Sequence, residues 1–123
     1  MASVSLKGSS LQYEPETEAQ IAEIKKNRAY RDDLDIERAQ SRLQRREKGV
    51  YIILPNADSK NKFTIVQATT PGKDIFRILE LEIEPSKVKV DDEYIEKSRE
   101  FSNVTDAMQG HKDILQTPYG LYR

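Results

Sequence analysis

Between Thr17 and Lys48 the chain carries neither glycine nor proline, and Glu, Ala, Gln, Lys and Arg fill most positions. Such a stretch predicts helix, capped by Thr17 and ended at Gly49. The cluster "RDDLDIE" interrupts it with Asp32 and Asp33, either of which can cap a second helix. The residue types nevertheless favour one continuous rod of roughly 48 Å at 1.5 Å per residue. Along it Ala22, Ala29, Ile36 and Leu43 recur every seven residues, flanked by Ile24 and Ala39. This thin stripe can rest on a partner but is too narrow to anchor a large core.

After Gly49 the period changes to two. "VYIIL" and "FTIVQA" read as strands joined by the polar loop "PNADSKNK", "TTPGKD" turns the chain into "IFRILELEIE", and "KVKV" follows Pro85 and Ser86. In the third of these segments Leu79, Leu81 and Ile83 share one face and Glu80, Glu82 and Glu84 the other, so one face is buried and the other is wet or charged. "DDEYIEKSREF", from Asp91, reads as a short helix with Tyr94, Ile95 and Phe101 near one face. Residues 1–16 are Ser-rich and aperiodic. "SNVTDAMQGHKDILQTPYGLYR" mixes Gly and Pro with isolated apolar residues, so both termini read as extended arms. The expected fold is therefore α+β: a long charged α-helix packed with a small antiparallel three- to four-stranded meander. The expected organisation is an N-terminal arm over 1–16, one domain over 17–103 and a C-terminal arm over 104–123.

Composition narrows the function classes. Apolar residues make up 37% of the 123 positions and charged residues 33%, yet the formal net charge is only -1, so no global field draws nucleic acid or anionic membranes. With no cysteine there is no disulfide framework, thiolate nucleophile or thiolate metal site. The start of the chain lacks a long apolar stretch, and "VYIIL" is far too short to span a bilayer. A soluble protein of the cytoplasm, or of a particle assembled inside the cell, is expected.

The search for chemistry returns mostly negatives. His111 is the only histidine and reads as an ordinary surface residue. "PGKD" lacks the earlier glycine and following Ser or Thr of a phosphate-binding loop, and reads as a turn. The carboxylates of "DDLD" and "DDE" lack the interleaved ligands and central glycine of a calcium loop. No catalytic residue, cofactor site or metal site is assigned, and the chain is expected not to be an enzyme.

The densest feature is "RAQSRLQRREKG", which places Arg38, Arg42, Arg45, Arg46 and Lys48 within eleven residues. Positive charge at the end of a helix is favourable toward the helix dipole on its own account. No aromatic residue is interleaved for base stacking, so a protein partner is favoured over a phosphate backbone. Arginines four apart on a helix rise about 6 Å and glutamates two apart on a strand about 6.7 Å. The stripe of Glu80, Glu82 and Glu84 thus matches the arginines in pitch and opposes them in sign. A helix covering the apolar face cannot turn its arginines to the opposite face, so the pairing is expected between copies. Tyr119, Leu121 and Tyr122 add apolar contact points in the C-terminal arm. These features point to a non-enzymatic structural or assembly subunit, by analogy with virion, connector and scaffold components, that engages protein neighbours through its arms and charged helix. The alternative is a nucleic-acid-binding accessory module using the basic helix end. No membrane partner is expected.

Overall fold

The computed structural model describes residues 15–44, 46, 48–69 and 76–119. In chain order they form α1 (Pro15–Lys25), α2 (Ile36–Leu43), β1 (Val50–Pro55), β2 (Lys62–Ala68), β3 (Phe76–Glu84), β4 (Lys87–Asp92), β5 (Lys97–Phe101), α3 (Val104–Gln109) and β6 (Thr117–Pro118). One mixed sheet runs in the order β5-β4-β3-β2-β1-β6, antiparallel except for β6, which lies parallel to β1.

The long helix is not continuous. Two short helices replace the rod, because the sheet has apolar side chains on both faces and a straight rod covers only one. On one face Tyr51, Ile53, Phe63, Ile65, Leu79, Leu81 and Ile83 pack against Ile21 and Ile24 of α1 and Val104 and Ala107 of α3. On the other, Val50, Ile52, Leu54, Val66 and Ala68 pack against Ala39 and Leu43 of α2. The heptad stripe holds only in part: Ala29 and Leu43 are buried with the flanking Ile24 and Ala39, but Ala22 is exposed, Ile36 is 43% exposed, and Ile21 is buried instead.

The crossing between the two faces is built into the intervening segment. The side-chain oxygen of Asn27 accepts from the Ala29 amide at 2.8 Å and ends the helical path. The Ile53 amide then donates to the Ala29 carbonyl and the Arg31 amide to the Ile53 carbonyl, each at 2.9 Å. Tyr30 thereby bridges Ile53 in parallel. Asp35, rather than Asp32 or Asp33, caps α2 by accepting from the Arg38 amide at 2.8 Å. Thr17 does not cap α1, which starts at Pro15, a residue suited to a first helical turn. Gly49 stands at φ +94°, in the left-handed region, and a Cβ there would lie 2.6 Å from Oε1 of Gln116.

Two further segments depart from expectation. "DDEYIEKSREF" forms a β-hairpin of β4 and β5 rather than a helix, with Asp92 opposite Lys97 and Val88 opposite Phe101. Its turn carries Glu96 at φ 53°. The reason lies in Asp92, which is 4% exposed and held by Arg77 of β3. Nη2 of Arg77 is 2.6 Å from Oδ2, Nε donates to the same carboxylate, and Oδ1 accepts from the Tyr94 amide. Residues 104–119 are not an extended arm. α3 is capped by Asn103, and its first amide, that of Val104, donates to Oε1 of Gln20 at 2.6 Å. Leu115 is buried, and β6 joins the sheet. His111 is 4% exposed rather than on the surface, with Nδ1 2.8 Å from the Ala107 carbonyl oxygen and its ring edge-on to Phe101. The expected N-terminal arm, apart from Pro15 and Glu16 in α1, lies outside the described residues.

Replacing Arg77 by Ala leaves the Asp92 carboxylate buried without its cation, and urea unfolding is expected to show a loss of about 3–5 kcal/mol. Lys87, exposed beside Glu84 and Glu100, serves as the control, since Lys87→Ala is expected to cost less than about 1 kcal/mol. Equal losses at the two positions would show that the Arg77–Asp92 pair is solvated.

Candidate functional site

α2 lies over β1 and β2, and its two ends carry opposite chemistry. At its amino end a cleft of about 600 Å³ opens between the helix and the end of β1. Leu34, Ile36, Leu54, Pro55 and Ala57 give it apolar walls, and Asp35, Glu37, Asn56 and Thr64 supply its polar groups. The loop that closes it is fixed by Asn56, whose Oδ1 accepts from the amides of Asp58 and Ser59 at 2.7 and 3.1 Å. Thr64 donates its hydroxyl to Oε1 of Glu80 at 2.8 Å, which brings a third carboxylate beside the polar wall. Two acidic side chains and no Lys, Arg or His line this cleft. Its chemistry suits an apolar group that carries a positive charge alongside it.

At the carboxyl end of α2 the charge reverses. Arg31, Arg42 and Arg46 converge on Tyr119, which follows β6 and is tied to β1 by donation from its amide to the Tyr51 carbonyl at 2.9 Å. The guanidinium carbons of Arg31 and Arg46 stand 5.3 and 5.1 Å from the centre of the Tyr119 ring. Arg31 also donates to the carbonyls of Arg28, Tyr30 and Tyr119. Hydrogen bonding from Arg42 lowers the pKa of the Tyr119 hydroxyl from its ordinary value of 10.0; partial burial opposes this, and Arg46 adds to the lowering. Among the described residues no carboxylate lies within 4 Å of these three guanidinium groups, and the three salt bridges found join Arg77 to Asp92 and Lys87 to Glu84 and Glu100.

The residues singled out in the sequence are thus distributed unevenly. Arg42, Arg46 and Tyr119 come together, and Arg38 is exposed on α2 outside the cluster. Arg45, Leu121 and Tyr122 lie outside the described residues. Glu80, Glu82 and Glu84 do project from one face of β3, half-buried, but their neighbours within the chain are other residues. Glu80 takes the Thr64 hydroxyl, Glu82 stands between Lys62 and Lys89 in register, and Glu84 lies 3.9 Å from Nζ of Lys87. The premise that α2 and these glutamates occupy opposite faces also fails. They share a face, which is apolar on β1, β2 and the start of β3, where Phe76 joins the cluster under the helix, and polar on the rest of β3 and on β4.

Sequence reasoning missed Arg31 and the whole cleft. Nothing in the local pattern distinguishes Arg31 from its neighbours, whereas the apolar residues Leu34 and Ile36 set among Asp33, Asp35 and Glu37 were a usable signal for the cleft. Among the described residues there is no group of three or more His, Asp or Glu placed to hold a metal ion, and no helix is long and apolar enough to cross a membrane.

Among solved structures, the arrangement of a central sheet with helices on both faces is similar to the SH2 domain of a CRK/CRKL homolog from Monosiga brevicollis, determined in solution by NMR. The TM-score is 0.52, with 15% sequence identity over 69% of this chain and 73% of that one. The fold is SH2-like. This likeness, together with the six-stranded sheet, replaces the expected long helix and small meander, and at such low identity it extends to the fold alone. No protein-family model matches the chain, and no curated protein sequence matches it.

The three described tyrosines with perturbed environments give a direct check. Tyr119 is expected to titrate below 10, whereas Tyr51 titrates above it because burial outweighs the hydrogen bond from Asn27, and Tyr30 does so because of burial and the nearby charge of Asp32. In terms of stability, the Tyr119 contribution is complete above pH 10 and is lost as pH falls through its lowered value. The Tyr51 contribution is complete below pH 10 and is lost as pH rises through its raised value. NMR of ring-labelled tyrosine resolves each residue, and Arg42→Ala should move Tyr119 back toward 10. A Tyr119 that titrates above 10 in the unsubstituted chain would mean that the arginines do not face its hydroxyl.

Proposed function

We propose that this chain is a non-enzymatic protein-interaction module, a subunit that holds its place in a larger assembly by docking a segment of a partner protein in the cleft beside α2. The observation that carries this reading is the cleft itself, which is apolar and roughly 600 Å³ in volume, with Asp35 and Glu37 on its wall and no Lys, Arg or His around it, while its one hydroxyl, on Thr64, is buried and held by Glu80. Such a site is suited to binding and orienting a segment. The occupant it fits is an unmodified partner segment with an apolar side chain next to Lys or Arg. Burial of the apolar group supplies affinity, and the carboxylates select the cationic neighbour. The SH2-like fold is compatible with this reading, because its sheet carries α2 on one face and leaves the cleft open at the helix end. The nucleic-acid alternative gains little, because Arg42 and Arg46 turn to Tyr119 instead of forming an extended basic strip.

Amide-resolved NMR titration with short peptides that pair Leu or Phe with Arg tests this directly. Shifts should map to residues 34–37, 54–57 and 64, and Ile36→Ser should weaken binding about tenfold through lost apolar contact. Glu37→Lys should disfavour the basic peptides while sparing those in which Gln replaces Arg. Peptides that bind equally well to both variants would place the docking surface elsewhere.

A further inference from the structure

Three guanidinium groups gathered around one aromatic ring repel one another, and such a gathering is stable in a folded chain only if hydrogen bonds, ring contacts or a counter-ion offset that repulsion. For Arg31 the offset is visible, since its donors reach three backbone carbonyls. Among the described residues Arg42 and Arg46 meet only Tyr119: Arg46 stands 5.1 Å from the ring centre and Arg42 hydrogen-bonds toward the hydroxyl. Arg42 is exposed and Arg46 half-exposed, so both present donors to solvent. Tyr119 itself is fixed by its backbone bond to β1, and Arg31 by its carbonyl contacts, so the cluster is held from beneath. That combination, rigid underneath and unsatisfied on top, is the arrangement that binds a planar oxyanion with two parallel hydrogen bonds.

We propose that Arg42 and Arg46, backed by Arg31 and Tyr119, form an anion-binding site that takes a carboxylate side chain from an acidic segment of a partner protein. The site is separate from the cleft at the other end of α2, so it stands or falls independently of the docking proposed there. A protein segment is favoured over nucleic acid because the arginines gather at one ring instead of lining an extended strip, and the chain as a whole carries a formal net charge of -1. A second copy of this chain is disfavoured because the glutamate stripe of β3 that matches it in pitch already meets Thr64, Lys62, Lys89 and Lys87.

The test is fluorescence anisotropy of a labelled Asp- and Glu-rich peptide with the full chain. Binding should weaken as salt rises, and the Arg42→Gln, Arg46→Gln double variant should lose at least about tenfold in affinity. Arg38→Gln, outside the cluster, should change it little. Arg42→Lys keeps the charge but loses the fork, and an intermediate loss there would support bidentate recognition. Thermal unfolding of each variant guards against misfolding: Arg42 is exposed, so Arg42→Gln should leave the midpoint unchanged, and Arg46→Gln, which removes a ring contact to Tyr119, should lower it only slightly. Three results would overturn the proposal. One is acidic peptide that fails to bind, or binds the double variant equally well. Another is a single-stranded oligonucleotide that binds more tightly through the same arginines. The last is a self-associated chain in sedimentation that the double variant dissociates, which would assign the cluster to contacts between copies.

Discussion

Five consecutive apolar residues, Val50 to Leu54, form one strand, and the period-two geometry of a strand sends them alternately to both faces of the sheet. All five are buried, from 0% to 7% exposed, so both faces of β1 must be covered. Much of the remaining structure follows from that constraint. Ile53 and Tyr51 need α1 and α3 on one side, Ile52 and Leu54 need α2 on the other, and the chain has to pass the sheet between them. It does so along the free edge of β1, where Ala29 to Arg31 pair with Ile53 while β6 pairs with Val50 and Tyr51. The crossing thereby removes the exposed strand edge that β1 would otherwise present to other chains.

The same constraint decides where the site lies. α2 is only eight residues long and rests mainly on β1 and β2, through Ala39 and Leu43. Both its ends therefore overhang open surface. Its amino end meets the loop after β1 and leaves the cleft, and its carboxyl end meets the residue that follows β6 and gathers the arginines. Acidic groups near the amino end and basic groups near the other agree in sign with the helix dipole, so the polarity needed for local stability also sets the polarity of the binding surface.

How much of this was legible in the sequence can be judged element by element. The alternation in Leu79, Glu80, Leu81, Glu82, Ile83 and Glu84 specified a strand and its two faces correctly, because period two over six residues has no helical counterpart. "VYIIL" was readable as a strand, but its significance lay in its lack of alternation, the mark of a strand buried on both sides. That lack of alternation contradicted the single rod, since one helix cannot serve two faces. The helix propensity of residues 26–35 was real but local, and the bonds to Ile53 overrode it. "DDEYIEKSREF" misled for the opposite reason: its acidic start suits a helix, while Asp92 answers to Arg77, a residue far away in sequence whose influence no window of neighbours reveals. Arg31 reaches Tyr119 across a separation of 88 residues, so the arginine cluster was only half visible in the run that suggested it.

The near-zero net charge, which removes any global attraction for nucleic acid or anionic membranes, has a further meaning once the charges are placed. Composition averages over the molecule, whereas a partner at contact feels only what lies within a screening length, about 8 Å at physiological ionic strength. From Glu37 to Arg42 the helix rises about 7.5 Å, close to one screening length, so the acidic and basic ends of α2 are partly screened from each other. Each end therefore acts as its own patch. Charges so arranged contribute little to long-range attraction, and their effect is to fix which way a bound segment runs along the helix.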